Sequence, residues 1–266
     1  MEQKECIVVF PVYKPLDDIE IAAFLQAIKM TQNYSHVFIA PKSMVFDSSF
    51  DKFKDIEIVR FDNHYFESIN GYNRLMIAKE FYKTFSAYNY MLIHQSDAYL
   101  FKPELDYWLK TGFDYIGAPW IRPGKILLTE FYKKIAKFIP FIFSEKAKRR
   151  HSVRNNTGNG GLSLRRVSSF MYVLDNVPEK LLNTYLQSND RDYNEDVFWS
   201  LEAPRLYQPM KIPKWEEALL FSFERGSEWS YKRIGNKLPF GCHGFARYEP
   251  KFWQQHIPAL QQNKKN

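Results

Sequence analysis

The first 120 residues alternate between short apolar runs and segments whose apolar residues recur at helical spacing. Apolar runs predict strands at 6–12, 37–40, 90–94 and 115–118, and the alternating segment 56–61 predicts a fifth. After the first run, Asp17 and Glu20 have the spacing of a capping box and precede apolar residues every three or four positions. A second helix is predicted to begin near Ile69. One of its faces carries Leu75, Ala78, Tyr82 and Phe85. This alternation predicts an α/β fold with a mostly parallel central sheet flanked by helices.

Polar residues follow two of the predicted strands. Tyr13 comes directly after the first, and Gln95, Ser96 and Asp97 come directly after the fourth. Because ligands of parallel sheets bind beyond the carboxyl ends of the strands, we expect these residues to lie along one rim. The chain beyond about residue 155 is less periodic, and it has neither a linker nor a repeat. It is therefore interpreted as the other half of the same domain.

Composition excludes several protein classes. Hydrophobic residues make up 45% of the 266 residues and charged residues 25%, which excludes disordered, collagenous and coiled-coil proteins. Two cysteines, Cys6 and Cys242, can form neither a disulfide framework nor a four-thiolate zinc site, and they suit a reducing compartment. No apolar run approaches the about 18 residues that span a bilayer, and no signal-peptide pattern is present. We expect a cytoplasmic location.

The positive charge is concentrated in one segment. Residues 122–154 contain ten Lys or Arg and two Glu, so this segment alone exceeds the net charge of +7 of the whole chain. Apolar residues alternate there with Lys133, Lys134 and Lys137, and the apolar set is Ile126, Leu127, Phe131, Ile135, Phe138 and Ile139. The pattern predicts a helix with a basic flank, which suits either an anionic membrane surface or an ordinary surface helix packed on the domain. A nucleic-acid partner is not expected, because the charge is confined to a stretch that also has an apolar face.

Two clusters in the sequence have the residue types of a ligand site. Asp97 stands where a strand leaves the sheet, so its carboxylate can bind a divalent cation together with phosphate oxygens, or it can cap the following turn. The segment 156–166 has three glycines in four positions, at Gly158, Gly160 and Gly161, which permit close approach of the backbone to a ligand or form a plain tight turn. It matches neither a Walker loop nor the dinucleotide fingerprint.

Two further clusters contain groups that transfer protons or bind metals. Glu195 and Asp196 precede an apolar helical start, where one can be a general base or both can complement the helix dipole. His243 stands between glycines in an apolar setting, where it can ligate a metal or simply be packed.

Together and in this order, the four clusters resemble the motifs of the GT-A glycosyltransferase superfamily, and most closely a bacterial family described as a domain of unknown function. The recurring strings are GYNRLM, QSDAYLF, DYIGAPW, GNGGLSLR and PFGCHGF, and they extend over residues 8–253. Gln95 stands where the superfamily has the first aspartate of its metal motif, so Asp97 is the one strong carboxylate ligand there.

The resemblance implies an activity and a role for each cluster. It implies a transferase that moves a sugar from a nucleotide-sugar donor to a saccharide or lipid-linked acceptor, in the synthesis of a bacterial surface polysaccharide. Asp97 and His243 would hold Mn²⁺ or Mg²⁺ against the donor diphosphate, and Arg74 could supplement or replace that metal. Asp196 would be the base of an inverting displacement, with Glu195 beside it to bind hydroxyl groups.

The remaining implied contacts divide between donor and acceptor. Pro11, Tyr13, Gln95 and Ser96 would contact the donor. The residues expected to contact the acceptor or its sugar are Trp120, Asn159, Gly160 and Gly161. The rival hypothesis is a non-catalytic protein that uses the same fold to bind a nucleotide or glycan.

The same resemblance divides the chain into a single catalytic domain and a tail. The domain spans 1–253, with a nucleotide-binding half at 1–120, a basic insertion at 122–154 and an acceptor half at 155–253. The C-terminal tail is 254–266.

Overall fold

The computed structural model describes residues 4–138 and 144–262 of the chain. The strands are β1 (Lys4–Pro11), β2 (Ser35–Pro41), β3 (Glu57–Phe61), β4 (Tyr88–His94), β5 (Ala98–Leu100), β6 (Tyr115–Gly117), β7 (Leu162–Arg166), β8 (Ser222–Phe223) and β9 (Gly241–His243). The helices of the first 153 residues are α1 (Asp18–Met30), α2 (Ile69–Leu75), α3 (Lys79–Thr84), α4 (Leu105–Lys110), α5 (Ile126–Phe138) and α6 (Glu145–Val153). The later helices are α7 (Val167–Asn176), α8 (Glu179–Gln187), α9 (Glu195–Val197), α10 (Ala203–Leu206), α11 (Trp215–Phe221), α12 (Ser227–Arg233), α13 (Pro250–Trp253) and α14 (Ala259–Gln262). Short 3₁₀ turns occupy Ser48–Phe53, Asn63–Tyr65 and Arg191–Tyr193, and a π-helical turn, Phe198–Glu202, joins α9 to α10.

A six-stranded sheet with the order β3-β2-β1-β4-β7-β6 forms the centre of the molecule. Its first four strands are parallel, and β7 is antiparallel to both of its neighbours. This architecture confirms the predicted α/β class with a mostly parallel sheet. The connections from β1 run outward to β2 and β3, and the chain then returns to place β4 on the other side of β1. The carboxyl ends of β1 and β4 therefore flank a topological switch point, where ligands of such sheets bind.

Apolar residues point to both faces of the central strands. In β1, Val8 and Phe10 pack with α1 on one face, while Ile7 and Val9 pack on the other face with the helices that follow β3 and β7. A strand covered on both faces reads as a continuous apolar run, which is why β1 was visible in the sequence. The predicted capping box of α1 is present, since Asp17 accepts from the backbone of Glu20 and Glu20 from that of Asp17.

The single helix predicted from Ile69 is two helices, α2 and α3, with a break at 76–78. Ala78 has extended backbone angles, with φ −86° and ψ 128°. The carbonyl of Met76 accepts hydrogen bonds from the Tyr82 hydroxyl at 2.7 Å and from the Trp199 indole at 3.0 Å. These tertiary hydrogen bonds stabilise the break, so the apolar spacing predicted the start of the helix but not its interruption.

A second sheet of three short strands, ordered β5-β9-β8, lies beside the first. Its apolar residues pack with the C-terminal segment, in which Ile257 is fully buried and Leu260 is 8% exposed. The chain therefore remains packed on the domain through α14, which lies within the predicted C-terminal tail, 254–266. Lys264 and Lys265 lie outside the described residues.

The basic segment 122–154 forms the helices α5 and α6. Ile126 packs against the domain, whereas Leu127, Phe131 and Phe138 are 86%, 58% and 81% exposed. Ile139 and the side chain of Lys137 lie outside the described residues. No helix within residues 4–138 and 144–262 has the length and apolar character needed to cross a bilayer.

Candidate active site

The rim between β1 and β4 holds the residues that were expected to contact a donor. Pro11 is buried at the end of β1, and Tyr13 beyond it is 60% exposed. The backbone N–H of Gln95 donates to the carbonyl of Gly161 at 2.9 Å, so the glycine loop is attached to the end of β4. The Ser96 hydroxyl donates to the capping-box carboxylate of Glu20 at 2.7 Å. Ser96 is therefore fixed by α1.

His243 and Asp97 meet because β9 pairs with β5. The antiparallel register sets Ala98 opposite His243, and the N–H of Gly244 donates to the carbonyl of Asp97 at 2.9 Å. His243 Nε2 lies 3.2 Å from Asp97 Oδ1 and 3.1 Å from Gln95 Oε1. Two residues that are 146 positions apart in the chain thus form one polar pair at the switch point.

The electrostatics of this pair favour its charged form. Burial alone would lower the pKa of His243, but the charge and hydrogen bond of Asp97, followed by the charges of Glu224 and Asp196, outweigh burial and raise that pKa. Burial opposes ionisation of Asp97 as well, and His243 outweighs it, so the pKa of the Asp97 carboxyl lies below its usual value.

Glu224 is a site residue that the sequence reasoning missed. It follows β8, which is parallel to β9 with Phe223 opposite Cys242, so the next position faces His243. Its Oε1 atom lies 3.9 Å from His243 Nδ1, on the other side of the ring from Asp97. Burial raises the pKa of Glu224, and His243 opposes that shift. In the sequence, Glu224 is marked only as a single acidic residue that follows the mostly apolar segment 218–223 and precedes Gly226 by two positions.

Asp196 lies in the first turn of α9 and keeps partial access to solvent. Burial, followed by the nearby charges of Glu195 and Glu224, raises the pKa of its carboxyl well above the usual value. A carboxylate with a raised pKa is a stronger base than an ordinary aspartate. Because its charge also raises the pKa of His243, Asp196 belongs to the same electrostatic cluster.

Glu195 has a different environment from its neighbour. Its side chain is 5% exposed and lies 3.1 Å from the guanidinium of Arg165, which is fully buried on β7. Burial raises the pKa of Glu195, and Arg165 opposes the rise. Arg165 also donates to the Tyr82 hydroxyl at 2.9 Å and to Ser163 Oγ at 3.0 Å. Glu195 was expected to bind hydroxyl groups of a ligand, whereas the structure engages its carboxylate in this internal ion pair.

The glycine loop packs directly against these groups. A Cβ atom at Gly160 would collide with Glu195 Oε1, and one at Gly161 would collide with His243 Nε2. The Asn159 side chain accepts from the N–H of Gly161 at 3.0 Å, which shapes the loop internally. Glycine is thus required at these two positions because the backbone lies close to the side chains of Glu195 and His243.

Trp120 lies beside the glycine loop, whereas Arg74 lies on α2 and contacts α8. Trp120 is partly exposed and its ring lies against Gly158 at the base of the glycine loop. Arg74 is exposed in the last turn of α2, and its Nε donates to the carbonyl of Leu186 at 2.9 Å. That hydrogen bond ties α2 to α8.

The donor atoms around His243 suit an ion shared with a ligand. Among residues 4–138 and 144–262, no three His, Cys, Asp or Glu side chains are grouped to hold a metal. Asp97 Oδ1 and Gln95 Oε1 nevertheless lie 3.2 and 3.1 Å from His243 Nε2. Neighbouring octahedral ligands at about 2.1 Å from an ion are about 3 Å apart, so each of these two pairs of atoms has the spacing of adjacent ligands in a Mg²⁺ or Mn²⁺ site. An ion bound there would displace the proton of His243 Nε2, and phosphate oxygens and water would supply its other ligands.

Two solved glycosyltransferase structures have a fold similar to that of this chain. The structure resembles the apo form of WbbM, a bifunctional glycosyltransferase, with a TM-score of 0.51 and 11% identity over 100% of this chain and 50% of that one. It resembles apo mouse xyloside xylosyltransferase 1 with a TM-score of 0.50 and 10% identity over 91% of this chain and 97% of that one. The chain therefore spans half the length of WbbM. No curated protein sequence matches it significantly.

These similarities identify the fold as GT-A type, as the order of the motifs implied. The family model described as a protein of unknown function, DUF5672, matches residues 55–243, which include Gln95, Ser96, Asp97, the glycine loop, Asp196 and His243. The chain belongs to the DUF5672 family.

Proposed function

We propose that the protein is an inverting glycosyltransferase that moves a sugar from a nucleotide-sugar donor to a saccharide acceptor. The observation that carries the proposal is the cluster at the switch point, where Asp196, with a raised pKa, lies in electrostatic range of the Asp97–His243 pair. The biological setting that we propose, from the family resemblance, is the synthesis of a bacterial surface polysaccharide.

The donor would occupy the rim between β1 and β4. Its nucleotide would contact Pro11 and Tyr13, and its diphosphate would lie toward Gln95, Ser96 and Asp97. Asp97 and His243, with the amide oxygen of Gln95, would hold Mn²⁺ or Mg²⁺. When bound, such an ion stabilises the negative charge that develops on the departing diphosphate.

Asp196 would act on the acceptor. Its carboxylate accepts the proton of the acceptor hydroxyl, whose oxygen forms a bond to the anomeric carbon. The bond from that carbon to the diphosphate breaks, and the nucleoside diphosphate leaves with the electron pair. Attack opposite the leaving group inverts the sugar configuration. Glu195 would position this base through its ion pair with Arg165, without touching the substrate.

The proposed metal ion and the nucleotide are expected to bind together. Because the protein supplies few ligands, we expect Mn²⁺ and UDP or GDP to raise the melting temperature together, and each alone to have little effect. Asp97→Ala and His243→Ala should abolish the joint shift, whereas Asp51→Ala, which removes an exposed carboxylate of a surface ion pair, should preserve it. A full shift by nucleotide without any divalent ion would contradict the metal assignment. Turnover on a panel of UDP-, GDP- and TDP-sugars separates a transferase from a protein that only binds nucleotides.

Helix α5 is the part of the molecule that we expect to contact a membrane. Leu127, Phe131 and Phe138 lie on one exposed stripe of α5, in a segment rich in lysine and arginine. We propose that this stripe inserts into an anionic bilayer surface that carries the acceptor. Leu127→Glu combined with Phe131→Glu should weaken sedimentation with anionic phospholipid vesicles at least about tenfold, since each buried side chain contributes about 1.5–3 kcal/mol.

The matched control for the membrane is Tyr107→Glu, on the distant helix α4, where the side chain is 55% exposed. That variant should sediment with vesicles as the parent does. Equal vesicle binding by the parent and the double variant would refute insertion of α5.

A further inference from the structure

A cleft of about 260 Å³ opens beside the candidate active site and is rich in arginine. Its walls include Trp120, four arginines and two acids, namely Arg122, Arg150, Arg154, Arg225, Asp192 and Glu224. Sequence reasoning assigned the basic segment as a whole to a surface role. The structure instead turns three of its arginines toward one concavity and adds a fourth, Arg225, from the other end of the chain.

Close approach of two loops assembles this cleft. Gly226 has a left-handed backbone, with φ +67°, and a Cβ atom there would lie 2.9 Å from Pro123 Cγ. The loop that carries Arg122 therefore packs on the loop that carries Arg225. On the adjacent wall, backbone hydrogen bonds of 3.0 Å join Trp120 to the residues just after Arg154.

The positive charge of the cleft is only partly compensated. Arg150 pairs with Asp192 at 3.2 Å, and Arg225 donates to the Tyr248 hydroxyl at 2.8 Å. Among the side chains that the structure describes, no carboxylate forms an ion pair within 4.0 Å of the Arg122 or Arg154 guanidinium. Burial, followed by repulsion from Arg122 and Arg150, lowers the pKa of Arg154. Cations held together in this way are stabilised by an anion that binds between them.

The cleft adjoins the cluster around His243 through a shared residue, Glu224. Glu224 forms part of its wall and faces His243 Nδ1 at 3.9 Å. The opposite ring atom, Nε2, faces Gln95 and Asp97, where the donor diphosphate is expected. His243 thus separates the two regions.

We propose that the arginine cleft binds a phosphate or diphosphate group of the acceptor. The inference rests on the proposed function, since it names the acceptor class of that same site. Guanidinium groups bind phosphate through paired hydrogen bonds, and Trp120 offers a flat face to the sugar that bears the phosphate. An acceptor phosphate fixed there would bring the acceptor hydroxyl toward Glu224 and the catalytic cluster.

The test is calorimetric binding to the full-length protein in EDTA. Its probes are inorganic pyrophosphate, glucose 1-phosphate and farnesyl diphosphate in detergent. Arg122→Gln combined with Arg154→Gln should weaken pyrophosphate binding at least tenfold. The single Arg122→Gln variant, on an exposed loop, should give a smaller loss with an unchanged melting temperature. Arg233→Gln, which removes an exposed arginine of α12, should bind as the parent does.

A parallel titration with UDP and Mn²⁺ tests whether the cleft binds the acceptor or the donor. The double variant should retain the parent affinity for UDP. Equal losses for UDP and pyrophosphate would assign the cleft to the donor and overturn the inference, as would unchanged pyrophosphate binding or no binding of any probe by the parent. Binding of either phosphate ester supports it, and the tighter ester identifies a soluble or a lipid-linked acceptor. Because no turnover is measured, this result is independent of whether a donor sugar is transferred.

Discussion

Replacing Asp196 by asparagine is expected to reduce kcat about 10²–10⁴-fold, which is the usual contribution of a general base. The amide is similar in shape to the carboxylate but cannot accept a proton. UDP affinity in the presence of Mn²⁺ should be unchanged, because Asp97 and His243 remain intact. The measurement is sugar transfer, or donor hydrolysis, by the variant and by Asp175→Asn, which removes an exposed carboxylate of α7 that pairs with Lys79.

The pH profile distinguishes loss of a base from a structural effect. Asp196 must be ionised to act, so activity should rise with pH through its pKa. Burial and the charges of Glu195 and Glu224 raise that pKa, Arg165 opposes the rise, and the acid limb should lie above the usual aspartate value of about 3.9. Glu224→Gln should shift this acid limb to lower pH, because it removes one of the charges that raise the pKa of Asp196. Full activity of Asp196→Asn, or a limb at the usual value, would refute the assignment.

Replacing Arg165 by methionine is expected to reduce the free energy of unfolding by about 3–5 kcal/mol, because it leaves the Glu195 carboxylate buried without a counter-charge. Both partners are almost completely buried, at 0% and 5% side-chain exposure. Combining Arg165→Met with Glu195→Gln removes both charges and should restore part of the loss. Urea unfolding at neutral pH measures each value.

The control for this ion pair is Lys232→Met, which breaks an exposed pair with Glu228 and should leave the free energy of unfolding almost unchanged. The deficit of Arg165→Met should also shrink as pH falls, because protonation removes the buried charge of Glu195. A loss no larger than that of the control, or one that is independent of pH, would show that the pair does not stabilise the fold.

Much of the fold could be predicted because its signals are local. The strands β1, β2 and β4 contain apolar runs, β3 alternates between apolar and charged residues, and the α1 capping box is two side chains three positions apart. The break between α2 and α3 could not be predicted, since one of the two hydrogen bonds to its Met76 carbonyl comes from Trp199, a residue more than 100 positions away.

The candidate site was predictable in part. Asp97, Asp196 and His243 were recognised from motif order, and the structure brings them into one electrostatic cluster. Glu224 was missed because β8 has only two residues and its pairing with β9 leaves no periodic signal. Arg165 was missed because an arginine next to Arg166 resembles a solvent-exposed pair, whereas strand alternation turns the first inward.

The pairing of β5 with β9 has a consequence for biosynthesis. The parallel strands β1 to β4 end at residue 94, so their sheet can form while the ribosome is still adding the second half of the chain. Asp97 would then have no contact with His243 until residues 241–243 have been synthesised and β9 has paired with β5. The parallel strands of a nascent polypeptide can therefore pair before the Asp97–His243 pair exists, and the proposed activity would begin only after residues 241–243 have been added.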